Sequence, residues 1–208
     1  EYYNKSLVIR EKVLGTDHPD VATSYNNIGG VYDSQGNYPL ALEYYNKALV
    51  IREKLFGIEH PDVAASYNNI GGVYDSQGNY PLALEYYNKA LAIRERVLGT
   101  DHPDVATSYN NIGSVYYSHG NYPLALEYYN KSLVIWEKVL GSDHPDVAAS
   151  YNNIGSVYDS QGNYPLALEY YNKALVILEK VLGTEHPNVA TLYGNIASVY
   201  FLQNNVSI

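Results

Sequence analysis

Two adjacent asparagines, Asn26 and Asn27, recur every 42 residues as Asn68–Asn69, Asn110–Asn111 and Asn152–Asn153, and the last copy keeps only Asn195. A carboxamide both donates and accepts hydrogen bonds, so a row of them suits the backbone of an extended peptide. Asp33, Asp75 and Asp159 follow the second asparagine of their copies, each with a serine next to it (Ser34, Ser76, Ser160), and Ser118 holds that place in the third copy. Other residues invite chemistry and fall short of it. The stretch "DHPD" sets Asp17, His18 and Asp20 close together in sequence, as a metal site would. Zinc needs three or four ligands within about 2 Å of one ion, whereas stacked helices lie about 10 Å apart. Each loop therefore offers one imidazole, and a turn with a helix start explains the stretch better. Gly29, Gly30 and Gly36 lack the Gly-Lys-Ser/Thr of a phosphate loop. "NKS" at Asn4 and Asn130 matches a glycosylation acceptor but falls inside a helical pattern. No nucleophile–base pair recurs, so no metal, no cofactor and no enzymatic activity are expected.

The elements that position these residues follow from the period. Tyr25, Tyr67, Tyr109, Tyr151 and Tyr193 are spaced by 42, as are His18, His60, His102, His144 and His186. Segments 20–61 and 62–103 differ at seven positions, which leaves little room for a site built from unlike residues. Such a period signals a repeat array. Tyr25, Ile28, Gly29 and Tyr32 stand at i, i+3, i+4 and i+7, one face of an amphipathic helix, here called A. Ala41, Tyr45, Ala48 and Leu55 mark the stripe of a longer helix B. Gly36–Asn37 stops helix A, Pro39 suits the first turn of B, Gly57 caps B, and His60–Pro61 restarts A. The expected fold is all-α with ten helices: a B helix at 1–15, four A–B pairs and a last A helix near 188–203. One array is expected over 1–208, with a half repeat at 1–19, repeats at 20–61, 62–103, 104–145 and 146–187, and a half repeat at 188–208.

Bulk composition fits a packed core, with 208 residues, 46% of them apolar. There is no cysteine, hence no disulfide framework. There is also no methionine, and residue 1 falls inside a repeat, so the chain reads as a piece of a longer protein. No apolar run approaches the roughly 18 residues that span a bilayer, and a net charge of −9 argues against nucleic acid. A cytoplasmic location is expected.

Tyr25, Ile28, Gly29, Tyr32, Gly36, Tyr38, Ala41, Tyr45 and Ala48 resemble the tetratricopeptide signature. The added length of each unit lies in "IREKLFGIEHPDVA" and its copies, which resemble the 42-residue repeats of kinesin light chains. The resemblance implies a right-handed superhelical solenoid of antiparallel pairs, with A helices lining a concave groove, and a protein-interaction scaffold as the function. On a helical wheel Thr23, Asn27, Gly30 and Ser34 point away from the core stripe, and Asn26 and Asp33 lie on its flank. Asn27, Asn69, Asn111, Asn153 and Asn195 are therefore expected in the groove, where the resemblance places backbone-holding asparagines; the alternative is a structural asparagine ladder bonded between neighbouring A helices. Asn26, Asn68, Asn110 and Asn152 are expected to be structural. All 13 Lys and Arg fall in B segments, so the A side, with Asp33, Asp75 and Asp159, carries the negative balance. The expected partner is a neutral or basic protein or peptide, unlike the acidic ligands held by the basic grooves of kinesin light chains. Arg10, Arg52 and Arg94 give way to Trp136 and Leu178, and Tyr117 and Phe201 replace the aspartate, so the later copies are more apolar. A structural array is the alternative function, with residues 1–14 of one copy docking head-to-tail on 188–203 of another.

Overall fold

Among the described residues, 2–205 with side chains as far as Gln203, the computed structural model contains ten α-helices and no strand. Glu1 and residues 206–208, the outer ends of the expected half repeats, lie outside the described residues. The helices are α1 (Tyr2–Leu14), α2 (Pro19–Ser34), α3 (Tyr38–Phe56), α4 (Pro61–Ser76), α5 (Tyr80–Leu98), α6 (Pro103–Ser118), α7 (Tyr122–Leu140), α8 (Pro145–Ser160), α9 (Tyr164–Leu182) and α10 (Pro187–Asn205). The even-numbered helices are the A helices and the odd-numbered ones the B helices.

The recurring loops are helix punctuation. His18 is the N-cap of α2, and its ring Nδ1 accepts from the Asp20 N–H at 3.1 Å. Pro19 fills the first turn, where its missing N–H costs nothing, and Asp20 faces the positive end of the helix. His60, His102 and His144 repeat the cap, so "DHPD" starts a helix. At the other end Gly36, with φ 71°, makes the turn into α3, which Asn37 caps.

Two compact units form, Glu1–Thr100 with α1–α5 and Asp101–Ile208 with α6–α10. In the first, α2 pairs with α3 and α4 with α5, while α3 also lies against α4 and α1 against α2. In the second, α6 pairs with α7 and α8 with α9, α7 lies against α8, and α9 against α10. Three-residue turns join the partners of a pair, and helices so joined and packed along their length run antiparallel. Each pair closes on bare backbone. A Cβ built on Gly29 would stand 2.8 Å from Tyr45 Cδ1, and Gly71, Gly113 and Gly155 meet Tyr87, Tyr129 and Tyr171 at 2.7–2.9 Å. Real Cβ contacts are not that short, so only glycine admits the ring. Ala22, Ala41 and Ala48 are fully buried, the first and last of them in one core cluster.

Successive pairs are tied by hydrogen bonds. The Tyr25 hydroxyl donates to Glu11 Oε1 at 2.6 Å, Tyr67 to Glu53 at 2.8 Å, and Tyr151 to Glu137 at 2.7 Å. Burial, and then the adjacent carboxylate, push each of these phenols up to about 12. Exposed lysine–acid pairs such as Lys138–Asp101 at 2.6 Å add little, since such pairs are worth about 0–1 kcal/mol.

Gly71→Ala overpacks the seam and is expected to lower stability in urea unfolding by about 1–3 kcal/mol. Gly72→Ala is expected to be neutral or stabilising, because its Cβ would meet only the Tyr87 hydroxyl at 3.5 Å and alanine is the better helix former. Equal costs at the two positions would contradict the packing.

Candidate functional site

The asparagines of neighbouring A helices bond to each other, as the ladder that the sequence allows beside groove lining. Asn69 Nδ2 of α4 donates to Asn26 Oδ1 of α2 at 2.9 Å. In the second unit Asn153 of α8 donates to Asn110 of α6 at 2.9 Å, and Asn195 of α10 to Asn152 of α8 at 3.0 Å. The second asparagine of one A helix thus grips the first of the A helix before it. The bond uses one of the donor's two N–H groups and leaves its own carbonyl available. Asn27 is exposed, whereas Asn69, Asn111, Asn153 and Asn195 are half-buried. Ser34, Ser76, Ser118 and Ser160 are exposed. Ser34 Oγ donates to the Gly30 carbonyl at 2.9 Å, and Ser160 Oγ lies 2.9 Å from the Tyr117 hydroxyl.

The acids occupy costly positions. Asp33, Asp75 and Asp159 sit in the last turns of α2, α4 and α8, where the helix dipole disfavours negative charge. All three are half-buried, and burial raises each carboxyl above the usual aspartate range. In the first unit the buried Tyr87 phenol is pushed up by desolvation and then by Asp75 and Asp33, so two acids and a phenol share one neighbourhood. In the second unit Tyr171 is raised by burial first, with Asp159 and Tyr117 adding to it, and its hydroxyl donates to Ser156 Oγ at 3.1 Å. Asp159 Oδ1 is buried without a hydrogen-bond partner.

The expected separation of charge between A and B sides is corrected in the first unit. Arg10, on α1, reaches α2, where Nη1 donates to Ser24 Oγ at 2.7 Å and to the Asp20 carbonyl at 3.1 Å. Arg52, on α3, does the same to Ser66 Oγ at 2.7 Å and the Asp62 carbonyl at 3.3 Å on α4. Arg94 Nη1 lies 3.5 Å from Asn68 Oδ1. No lysine or arginine belongs to an A helix, yet guanidinium groups rest against the start of α2 and α4. Burial lowers the Arg52 pKa. The sequence held a signal for this contact: where arginine becomes Leu178, the serine 14 residues on becomes Leu192.

Ten helices among the described residues, in repeated pairs and with asparagine rungs between A helices, define a helical-repeat scaffold. The chain belongs to the tetratricopeptide repeat family, whose profile matches residues 1–54, 34–96, 62–133, 109–180 and 160–207. Among solved structures it is similar in fold to BtubC (BKLC) from P. vanneervenii, with a TM-score of 0.83 and 22% identity over 98% of this chain and 82% of that one. It is also similar to a candidate kinesin light chain of Podosopora anserina with nearly identical TPR-like repeats, with a TM-score of 0.75 and 26% identity over 90% and 89% of the two chains. A single-residue variant of that protein gives a TM-score of 0.76 at the same identity and coverage. No curated protein sequence matches this chain. No described helix is long and apolar enough to cross a membrane.

Because the folded state holds the Asp75 carboxyl above its unfolded value, that residue favours folding at low pH, and the benefit is lost as pH rises through the folded pKa. Asp75→Asn is therefore expected to raise Tm at pH 7. The gain should shrink as pH falls toward the ordinary aspartate value of about 3.9. Thermal melts across that range test this, and a gain independent of pH would contradict it.

Proposed function

We propose that this chain is an interaction scaffold that holds an extended segment of a protein partner along its A helices. Tetratricopeptide repeats generally serve protein–protein interaction, and the finer assignment rests on the site. Asn69, Asn153 and Asn195 meet the segment's backbone through the amide groups that their rungs leave over, and Asn27 and Asn111 are the corresponding residues of their copies. Ser34, Ser76, Ser118 and Ser160 stand at the exposed end of the same face. The observation that carries the charge preference is the placement of Asp33, Asp75 and Asp159. Three half-buried acids at the wrong end of their helices lower stability and make sense as sites for neutral or basic side chains. The arginines do not reverse this, because Arg10 and Arg52 already donate to hydroxyl and carbonyl oxygens at the opposite helix end. With a net charge of −9, the partner is protein and not nucleic acid.

Head-to-tail assembly through residues 1–14 and 188–203 is the weaker reading. Tyr3, Ile9, Tyr193, Tyr200 and Phe201 are exposed and would supply apolar surface. However, Ala197 stands where Gly29 and its equivalents receive a tyrosine ring. Tyr3, the counterpart of Tyr45, has no matching seat on α10.

Two extended peptides of equal length, one alternating lysine with neutral residues and the other glutamate, test the preference by fluorescence anisotropy at low and high salt. The lysine peptide is expected to bind more tightly at low salt, with the difference shrinking as salt screens the charges. Tighter binding of the glutamate peptide would overturn the proposal. Asn69→Ala with Asn111→Ala should weaken binding by about 1 kcal/mol per lost bond, roughly thirtyfold together, while helicity is retained.

A further inference from the structure

The same position of each B helix holds Arg10, Arg52, Arg94, Trp136 and Leu178 in turn, and from α1, α3 and α9 it lies toward the A helix that follows. In the first unit the guanidinium groups of Arg10 and Arg52 fill this place and bond Ser24 and Ser66. In the second, Trp136 fills its place with bulk and packs against the core cluster. Leu178 is shorter than either, and Leu192 replaces the serine, so no polar pair is left to bridge the gap. Both leucines are buried. What results is an open pocket of about 200 Å³ between α8, α9 and α10. Ala148, Leu178 and Leu192 give it apolar walls, and Asn152, Asn188 and Thr191 a polar edge. Thr191 and Asn188 are exposed, so the pocket can be entered from solvent.

We propose that this pocket receives one aliphatic side chain, of the size of leucine, isoleucine or methionine, from the bound segment. It thereby sets the specificity of the second unit; the proposal rests on the groove reading above. The volume suits a single side chain and falls below the roughly 300–1,000 Å³ of pockets that hold whole small molecules. No charged residue lines it, so a lysine, arginine, aspartate or glutamate side chain would lose its hydration with no partner in return. The Asn195–Asn152 rung passes the pocket edge, and a backbone aligned on the asparagines would bring a side chain to its mouth. Burying a leucine side chain accounts for an affinity gain of about 10- to 100-fold over alanine.

The probe is N-acetyl-leucine-N-methylamide, compared with its alanine, lysine and aspartate analogues, titrated into the full chain and followed by methyl NMR at Thr191 and Leu192. Saturable shifts at these methyls are expected for the leucine compound, with at least tenfold weaker response to the other three. Leu178→Trp fills the pocket and is expected to abolish the response, as is Leu178→Arg combined with Leu192→Ser, read at Thr191. The double variant reproduces a pairing found elsewhere in this chain, Arg52 with Ser66, and tryptophan already holds the equivalent place at Trp136, so circular dichroism should show unchanged helicity. No leucine selectivity in the unsubstituted chain, or an undiminished response in folded Leu178→Trp, would overturn the proposal. If both variants unfold, the selectivity of the unsubstituted chain decides it alone. The probes are too short to need a groove. Leucine selectivity without peptide binding would refute the groove reading and leave the pocket standing, and peptide binding without leucine selectivity would do the reverse.

Discussion

A tyrosine ring pressed on bare helix backbone sets the spacing of every complete pair. Gly29, Gly71, Gly113 and Gly155 each leave room for the ring of Tyr45, Tyr87, Tyr129 or Tyr171. Interiors are close-packed, and one methyl group at such a point is felt throughout the pair. The close approach goes with full burial of Ala22, Ala41 and Ala48, and it leaves the remaining A-helix surface turned away from its own B helix. That surface carries the asparagines and the acids. The second set of constraints, the Tyr25–Glu11 bond and its copies, fixes α2, α4 and α8 each on the B helix before it.

Repetition of this geometry explains why the informative residues are the exceptions. Four asparagine pairs and three aspartates recur at matching positions of successive copies, which under the proposed function suits an extended ligand and not a small substrate. The acids work against both burial and helix dipole, which local stability alone would not select. Where Leu178 and Leu192 replace the arginine–serine contact, a uniform scaffold gains one unlike place.

Much of the fold was legible in the sequence. The 42-residue period, the two apolar stripes and the proline and glycine punctuation gave the helix number and order, and observed ends differ from expected ones by only one or two residues. The sequence marks His18 as part of a helix start, while its role as the capping acceptor for the Asp20 N–H emerges only in the fold. The site was less legible. A wheel drawn for one helix showed Asn27 leaving the core stripe, but the bond from Asn69 to Asn26 joins residues 43 apart, which no single-helix projection contains. Assigning charge by element failed at Arg10 and Arg52 for a similar reason, because a long side chain carries its charge to the neighbouring helix. Similarly, the Leu178 replacement was visible as a trend toward apolar residues, while the pocket depends on α8 and α10 together.

The dependence of the array on the glycine–tyrosine seam is tested most directly by a double-mutant cycle. Gly71→Ala is measured by urea unfolding in the unsubstituted chain and again with Tyr87→Val, which removes the ring atoms that its Cβ would strike. If the seam sets the spacing, the cost of the alanine falls in the valine background, with a coupling of about 1–3 kcal/mol. The same cost in both backgrounds would show that Gly71 is required for some reason other than the Tyr87 ring, and would contradict the central role given to this contact.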